Sequence, residues 1–153
     1  MLNGEIEGLA GEPMKVDLQA KNSLNAIKSV GGDTFTVDYA GPETSKPQDL
    51  KIVDNNNGTY SVHFKLSKSG LHILSIKSNG IHLSNSPVAV TVNAASKSLA
   101  KNCVVGGDGL THGVLAESSE FYIITRDAFG NIRRTGGDNV IIELKVCKSS
   151  NKL

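Results

Sequence analysis

An antiparallel β-sandwich followed by about half of a second one is the fold class this chain predicts, and three observations predict it. Short runs of alternating apolar and polar residues recur between clusters of Gly, Asn, Ser and Pro. No window carries sustained helical periodicity. Residues 8–40 and 113–145 align without a gap at an offset of 105, with 6 of 33 positions identical. Gly8, Glu12, Ile27 and Gly31-Gly32-Asp33 recur as Gly113, Glu117, Ile132 and Gly136-Gly137-Asp138, and Val16/Phe121, Leu18/Ile123, Asn22/Asp127 and Leu24/Phe129 match in type. A period near 100 residues is one small domain rather than a solenoid unit. The chain reads as a tandem array whose second copy stops half-way.

The elements follow in order. Met14–Ala20 alternates, with Val16 and Leu18 on one face. Thr34–Tyr39 sets Phe35, Val37 and Tyr39 against Thr34, Thr36 and Asp38. Leu50–Val53 is a short strand, and Asn55-Asn56-Asn57-Gly58 is a turn, because Asn and Gly tolerate left-handed backbone. Thr59–Lys65 groups Tyr60, Val62 and Phe64, and Leu71–Ser78 groups His72, Leu74 and Ile76. Ser86-Pro87 opens Val88–Val92, where a proline at a strand start removes only one ladder donor. The second copy restarts at Cys103–Leu110, and Phe121–Thr125 and Asn139–Lys145 repeat the earlier strands. The expected organisation is a domain over residues 1–94 with its first strand clipped, a small and polar linker over 95–100, and the opening half of a domain over 101–153. Ile123, Val140, Ile142 and Leu144 would then lack a covering sheet, so this half is not expected to form a normal domain alone. Cys103–Leu110 filling the first copy's strand position, in cis or by strand-swapped self-association, is the conceivable rescue.

Composition excludes several function classes. Sixteen basic and fifteen acidic residues leave a net charge of +1, and there is no Trp, so no field or stacking platform suits nucleic acid. No apolar run approaches the ~20 residues of a membrane helix, and the N-terminus lacks the pattern of a signal peptide. A cytoplasmic location is expected on that basis. Cys103 and Cys147 read as thiols rather than a disulfide framework.

The order and spacing of the motifs carry a resemblance. Gly107-Asp108-Gly109-Leu110, then Phe121 to Asp127, then Gly136-Gly137-Asp138 resembles the opening half of a filamin-type immunoglobulin-like repeat. Asn57-Gly58-Thr59-Tyr60-Ser61-Val62, followed by Gly70, Gly80-Ile81 and Ser86-Pro87-Val88, is similar to the closing half. His72 stands where the family usually has a tyrosine, Val88 replaces a usual phenylalanine, and Ala40–Asp49 is a long connection.

No catalytic or metal-binding constellation emerges. Gly106-Gly107-Asp108-Gly109 lacks the Gly-Lys-Ser/Thr ending of a phosphate loop and reads as a bend in a strand. His63, His72, His82 and His112 have no zinc-ligand spacing, and His72 reads as a core residue. No nucleophile elbow or Cys–His pair is present, so an enzyme is not expected, nor a cofactor. Asn57-Gly58-Thr59 is a glycosylation sequon that the hairpin turn also explains.

The resemblance implies a non-catalytic scaffold whose partners are proteins or peptides added as an extra strand beside the third strand, in the groove it makes with the fourth. On this sequence the groove residues are Thr34, Thr36, Asp38, Leu50 and Ile52. A bulky charged residue at Thr36 is expected to abolish capture. Two settings follow from the resemblance, a cytoskeletal scaffold or the extracellular repeats of a membrane adhesion protein of the plant gamete type. No actin-binding calponin-homology domain is present in the sequence, so actin cross-linking is not carried over.

Overall fold

The computed structural model describes residues 5–42 and 47–145. Ten strands are formed by these residues: β1 (Ile6–Leu9), β2 (Pro13–Gln19), β3 (Thr36–Ala40), β4 (Gln48–Asp54), β5 (Thr59–Lys65), β6 (Gly70–Ser78), β7 (Ile81–His82), β8 (Val88–Asn93), β9 (Val104–Gly106) and β10 (Tyr122–Ile124). One sheet runs β1-β8-β6-β3, with β7 also on β6, and the facing sheet runs β2-β5-β4. All pairings are antiparallel except β1 with β8. The expected all-β sandwich is the observed fold.

Period-two patterning builds it. Tyr60, Val62 and Phe64 of β5 face His72, Leu74 and Ile76 of β6 and Val90 and Val92 of β8, all buried. Met14, Ala10 and Leu66 close the core, and Val16, Leu18, Val37, Tyr39, Leu50 and Ile52 flank it half-buried. β1 and β7 were not expected. Ile6-Glu7-Gly8-Leu9 is too brief for alternation to register, and its pairing with Val90–Asn93 is made at the far end of the sandwich sequence.

Two other expectations are corrected. Asn139–Lys145 forms no strand: with no neighbouring strand to take its backbone groups, it leaves Ile141, Ile142 and Leu144 exposed. Cys103–Leu110 does not fill the first sheet in cis, because Val104–Gly106 pairs with Tyr122–Ile124 instead. Residues 95–100, read as a small and polar linker, are tied to the C-terminal segment: the Ala95 N–H donates to Asp127, the Leu99 N–H to the Arg126 carbonyl, and Ser98 Oγ to Asp138. Cys103 is a thiol whose sulfur lies 3.4 Å from the Leu99 carbonyl oxygen, and Cys147 lies outside the described residues.

Gly58 anchors the β4–β5 turn at φ 80°, with Asn56 also left-handed at φ 59°. Its carbonyl accepts the Ala20 N–H at 2.9 Å and Gln19 Nε2 at 3.0 Å, and a Cβ there would run into the Lys28 carbonyl. Gly58→Ala therefore combines left-handed strain with a backbone clash. It should lower stability by at least about 2 kcal/mol in urea unfolding.

Candidate functional site

Each sheet of a sandwich ends in strands that pair within the sheet on one side only, and these edges are what such a fold offers to partners. β3 ends one sheet and β4 ends the other, and their opposite ends meet where Met14 of β2 lies against Gly8 of β1. The five expected groove residues are split between two environments. Thr34, Thr36 and Asp38 face outward and are exposed, while Leu50 and Ile52 point between the sheets and are half-buried. The pleat explains the division: β3 presents one face outward and one inward, and Phe35, Val37 and Tyr39 occupy the inward one. Leu50 and Ile52 thus put apolar side chains on the inner face of β4. Asp38 is held by Lys77 Nζ at 2.7 Å. β4 carries a register irregularity between Gln48 and Lys51, with Asp49 left-handed at φ 53° and paired to Lys65 at 2.7 Å. Lys65 holds the Asp49 carboxyl below the ordinary range, and Asp49 in turn raises the Lys65 ammonium.

A second open edge was not foreseen. Among the described strands β2 pairs only with β5, and beside its other edge lies a cleft of about 670 Å³. Val16, Leu18, Ile76, Leu83 and Val88 give it apolar walls, with Asp17 and Gln19 among its polar lining. In the C-terminal segment the edge equivalent to Asp17–Gln19 is covered, since β10 takes β9 beside it.

The remaining candidates have structural explanations. His72 is fully buried, with Nε2 2.8 Å from the Lys68 carbonyl and Nδ1 2.8 Å from the Tyr39 hydroxyl. A carbonyl can only accept, so Nε2 carries the proton and the Tyr39 hydroxyl donates to Nδ1. Asn57 is exposed, and its Oδ1 accepts from the Thr59 N–H at 3.0 Å and the Thr59 hydroxyl at 2.7 Å, closing the hairpin turn. Among the described residues no group of three or more His, Cys, Asp or Glu is placed to hold a metal, and no helix is long and apolar enough to cross a membrane.

The densest polar arrangement lies where the C-terminal segment meets the sandwich. Asp127 is fully buried. Its Oδ2 accepts the Ala95 N–H and Asn131 Nδ2, and its Oδ1 accepts the N–H groups of Phe129 and Asn131, all at 2.8–2.9 Å. Asn131 reaches on to the β5–β6 turn, giving Nδ2 to the Ser67 carbonyl at 2.7 Å and accepting the Ser69 N–H at 3.0 Å. Lys68 Nζ meets the Phe129 carbonyl at 2.6 Å, and the Phe129 ring lies where a side chain at Gly11 would be. Burial pushes the Asp127 carboxyl up, but the N–H groups outweigh it and hold the group below its ordinary value.

Residues 3–89 match the family described as the Filamin/ABP280 repeat, more than half of the chain. The chain belongs to the filamin repeat family. Filamin-C of Mus musculus is 34% identical over 118 residues, covering 76% of this chain and 4% of that protein. Filamin-A of Drosophila melanogaster is 35% identical over 83 residues, covering 54% of this chain and 4% of its own length. This filamin-family chain therefore spans a small fraction of the curated relatives it matches. Among solved structures, the Lin-41 filamin domain aligns at TM-score 0.50 and 16% identity, covering 57% of this chain and 82% of that one. Invasin, a bacterial integrin-binding protein, aligns at TM-score 0.57 and 20% identity, covering 78% and 24%. At these identities the structural likenesses establish the shared immunoglobulin-like fold.

Proposed function

We propose that this chain, a protein-interaction and scaffold module of the filamin repeat type, accepts an extended peptide as a further strand beside β3, in the groove between β3 and β4. The observation that carries the reading is that β3 and β4 are terminal strands of the two sheets, opposite the ends where Met14 of β2 meets Gly8 of β1, with Leu50 and Ile52 half-buried against the core. Backbone hydrogen bonds along the β3 edge supply affinity, and alternate side chains reaching the apolar residues of β4 supply selectivity. A cytoplasmic, cytoskeleton-associated setting fits the filamin relatives better than an adhesive extracellular one, because the adhesin likenesses extend only to fold. Asn57 stays a glycosylation candidate for the extracellular setting alone.

The test uses a synthetic peptide of alternating valine and threonine with lysines at its ends. Binding should slow amide exchange along Thr36–Ala40. Thr36→Pro and Val37→Pro then discriminate, since adjacent residues of a strand point their N–H groups to opposite neighbours. One of the two variants removes an outward donor while sparing the β6 ladder, and that variant should fold and lose capture. Undiminished capture by both overturns strand addition at β3. The cleft beside β2 supports a second reading, in which protection appears over Asp17–Gln19 instead.

A further inference from the structure

The buried Asp127 turn has a twin on the surface. Shifted by the offset of 105, Asp127-Ala128-Phe129-Gly130-Asn131-Ile132 falls on Asn22-Ser23-Leu24-Asn25-Ala26-Ile27. The two turns are built by the same bonds. The N–H of Asn22 donates to the Ala26 carbonyl and that of Asn25 to the Asn22 carbonyl, as Asp127 does to Asn131 and Gly130 to Asp127. The N–H groups of Leu24 and Ala26 go to Asn22 Oδ1, as those of Phe129 and Asn131 go to Asp127 Oδ1. Lys21 bridges Ile27 as Arg126 bridges Ile132, and Asn25 at φ 61° takes the left-handed place of Gly130 at φ 82°. Lys28 pairs with Asp33 as Arg133 pairs with Asp138.

What differs is the cover. The Asp127 turn is seated on the Ser67–Ser69 end of the sandwich, with Phe129 against Gly11. Among the described residues nothing is seated on the Asn22 turn: Leu24 is 86% exposed and Ile27 69% exposed. From this we infer that the Asn22–Ile27 turn is a docking face for the closing end of another filamin-type repeat. That end would offer a β5–β6 turn like Ser67–Ser69, beside a glycine in the place of Gly11 to receive Leu24. Such an end is the occupant because it is what this molecule itself seats on the equivalent turn. A second copy of this chain is not, since its own Ser67–Ser69 end is already engaged by Asn131.

The face also has a stated deficit. Asn22 replaces the buried carboxylate, and Ala26 replaces the side chain that bonds Ser67 and Ser69. Docking here rests on apolar contact by Leu24 and Ile27 without the polar clamp. The joint it makes is therefore weaker than the one at Asp127.

The experiment extends the chain by its own period, placing residues 1–105 ahead of residues 1–153, so that a Ser67–Ser69 end precedes the Asn22 turn at the natural spacing. The protein has no Trp, so Leu24→Trp in the following unit is a single reporter at an exposed site. Its emission should be that of exposed indole in the original chain and shift to shorter wavelength in the extended one. Adding Asn22→Asp and Ala26→Asn should restore the clamp and slow exchange of the preceding Ser69 amide about tenfold. Exposed emission in both chains overturns the proposal. A shift in the original chain that grows with concentration also overturns it, by assigning the face to self-association. Neither readout depends on peptide capture at β3.

Discussion

Asp127→Ala should free the C-terminal segment from the sandwich at a cost of roughly 3–5 kcal/mol in the stability of that joint. The carboxylate accepts from Ala95, Phe129, the Asn131 backbone and Asn131 Nδ2, and it has no exposed surface through which water could replace it. Alanine leaves those donors buried and unpaired, each at about 1–3 kcal/mol before relaxation shares the loss. Amide exchange is the suitable measurement, because it resolves the joint from the sandwich core. The amides of Ala95, Asn131 and Ser69 should exchange at the rate of a locally opened segment, while those of β5 and β6 keep their protection. Equal loss of protection in β5 and β6 would show that the joint and the core open as one unit. Asp127→Asn should fall between: its oxygen can still hold the two turn N–H groups, as Asn22 does with Leu24 and Ala26, but its amide would face the Ala95 N–H donor to donor.

The same carboxylate sets a pH dependence. Its pKa in the folded chain lies below the ordinary 3.8, so its contribution is complete above that value. The contribution is lost as pH falls through the lower folded value. Joint protection, corrected for intrinsic exchange, should hold at neutral pH and decline only below about pH 4, whereas Asp127→Asn should show a smaller decline, lacking the share that Asp127 contributes. Other carboxylates titrate in the same sense: Asp17 is lowered by Lys15 and Ser61, Asp33 by Lys28, and Asp138 by Ser98 and Arg133. The Asp17 and Lys15 side chains are both more than half exposed, and such pairs add little stability. The difference between wild type and Asp127→Asn isolates the buried group.

Patterns of period two were enough to place β2, β3, β4, β5, β6 and β8, because each carries its core residues on one face. Boundaries moved by a residue or two, as β3 shows by starting at Thr36 rather than Thr34. β1 and β7 escaped because their stability comes from neighbours distant in sequence, Val90–Asn93 and Lys77–Ser78. Asn139–Lys145 reads as a strand yet forms none, since alternation supplies a face but not a partner ladder. At the candidate groove, the strands were legible, and so was the alternation that sets Phe35, Val37 and Tyr39 against Thr34, Thr36 and Asp38. How Leu50 and Ile52 pack against the core depends on the facing sheet, which no local pattern of β4 specifies. The Asp127 joint was hardest to see. The repeat aligned Asp127 with Asn22, but burial came from Ser67–Ser69, which no local pattern links to it.

Phe64→Ala should cost roughly 3–5 kcal/mol, the largest effect expected from any single side chain of the sandwich core. Phe64 is 1% exposed and sits on β5, the middle strand of its sheet, opposite Met14 of β2. Ladders to β2 on one side and β4 on the other hold the β5 backbone, so the walls cannot close over the void and the cost lies toward the upper end. A domain of this size has about 5–15 kcal/mol in total. The variant should therefore melt more than about 12 °C lower, at 4–8 °C per kcal/mol. Leu71→Ala is the control, because Leu71 is 58% exposed on β6 and its removal should change stability by less than about 0.5 kcal/mol. The pair distinguishes burial from strand propensity, since both positions lose a large apolar side chain from a strand. Comparable losses at the two sites would mean that the core does not hold the sheets together at Phe64. The β3 and β4 edges would then have no fixed spacing with which to receive a partner strand.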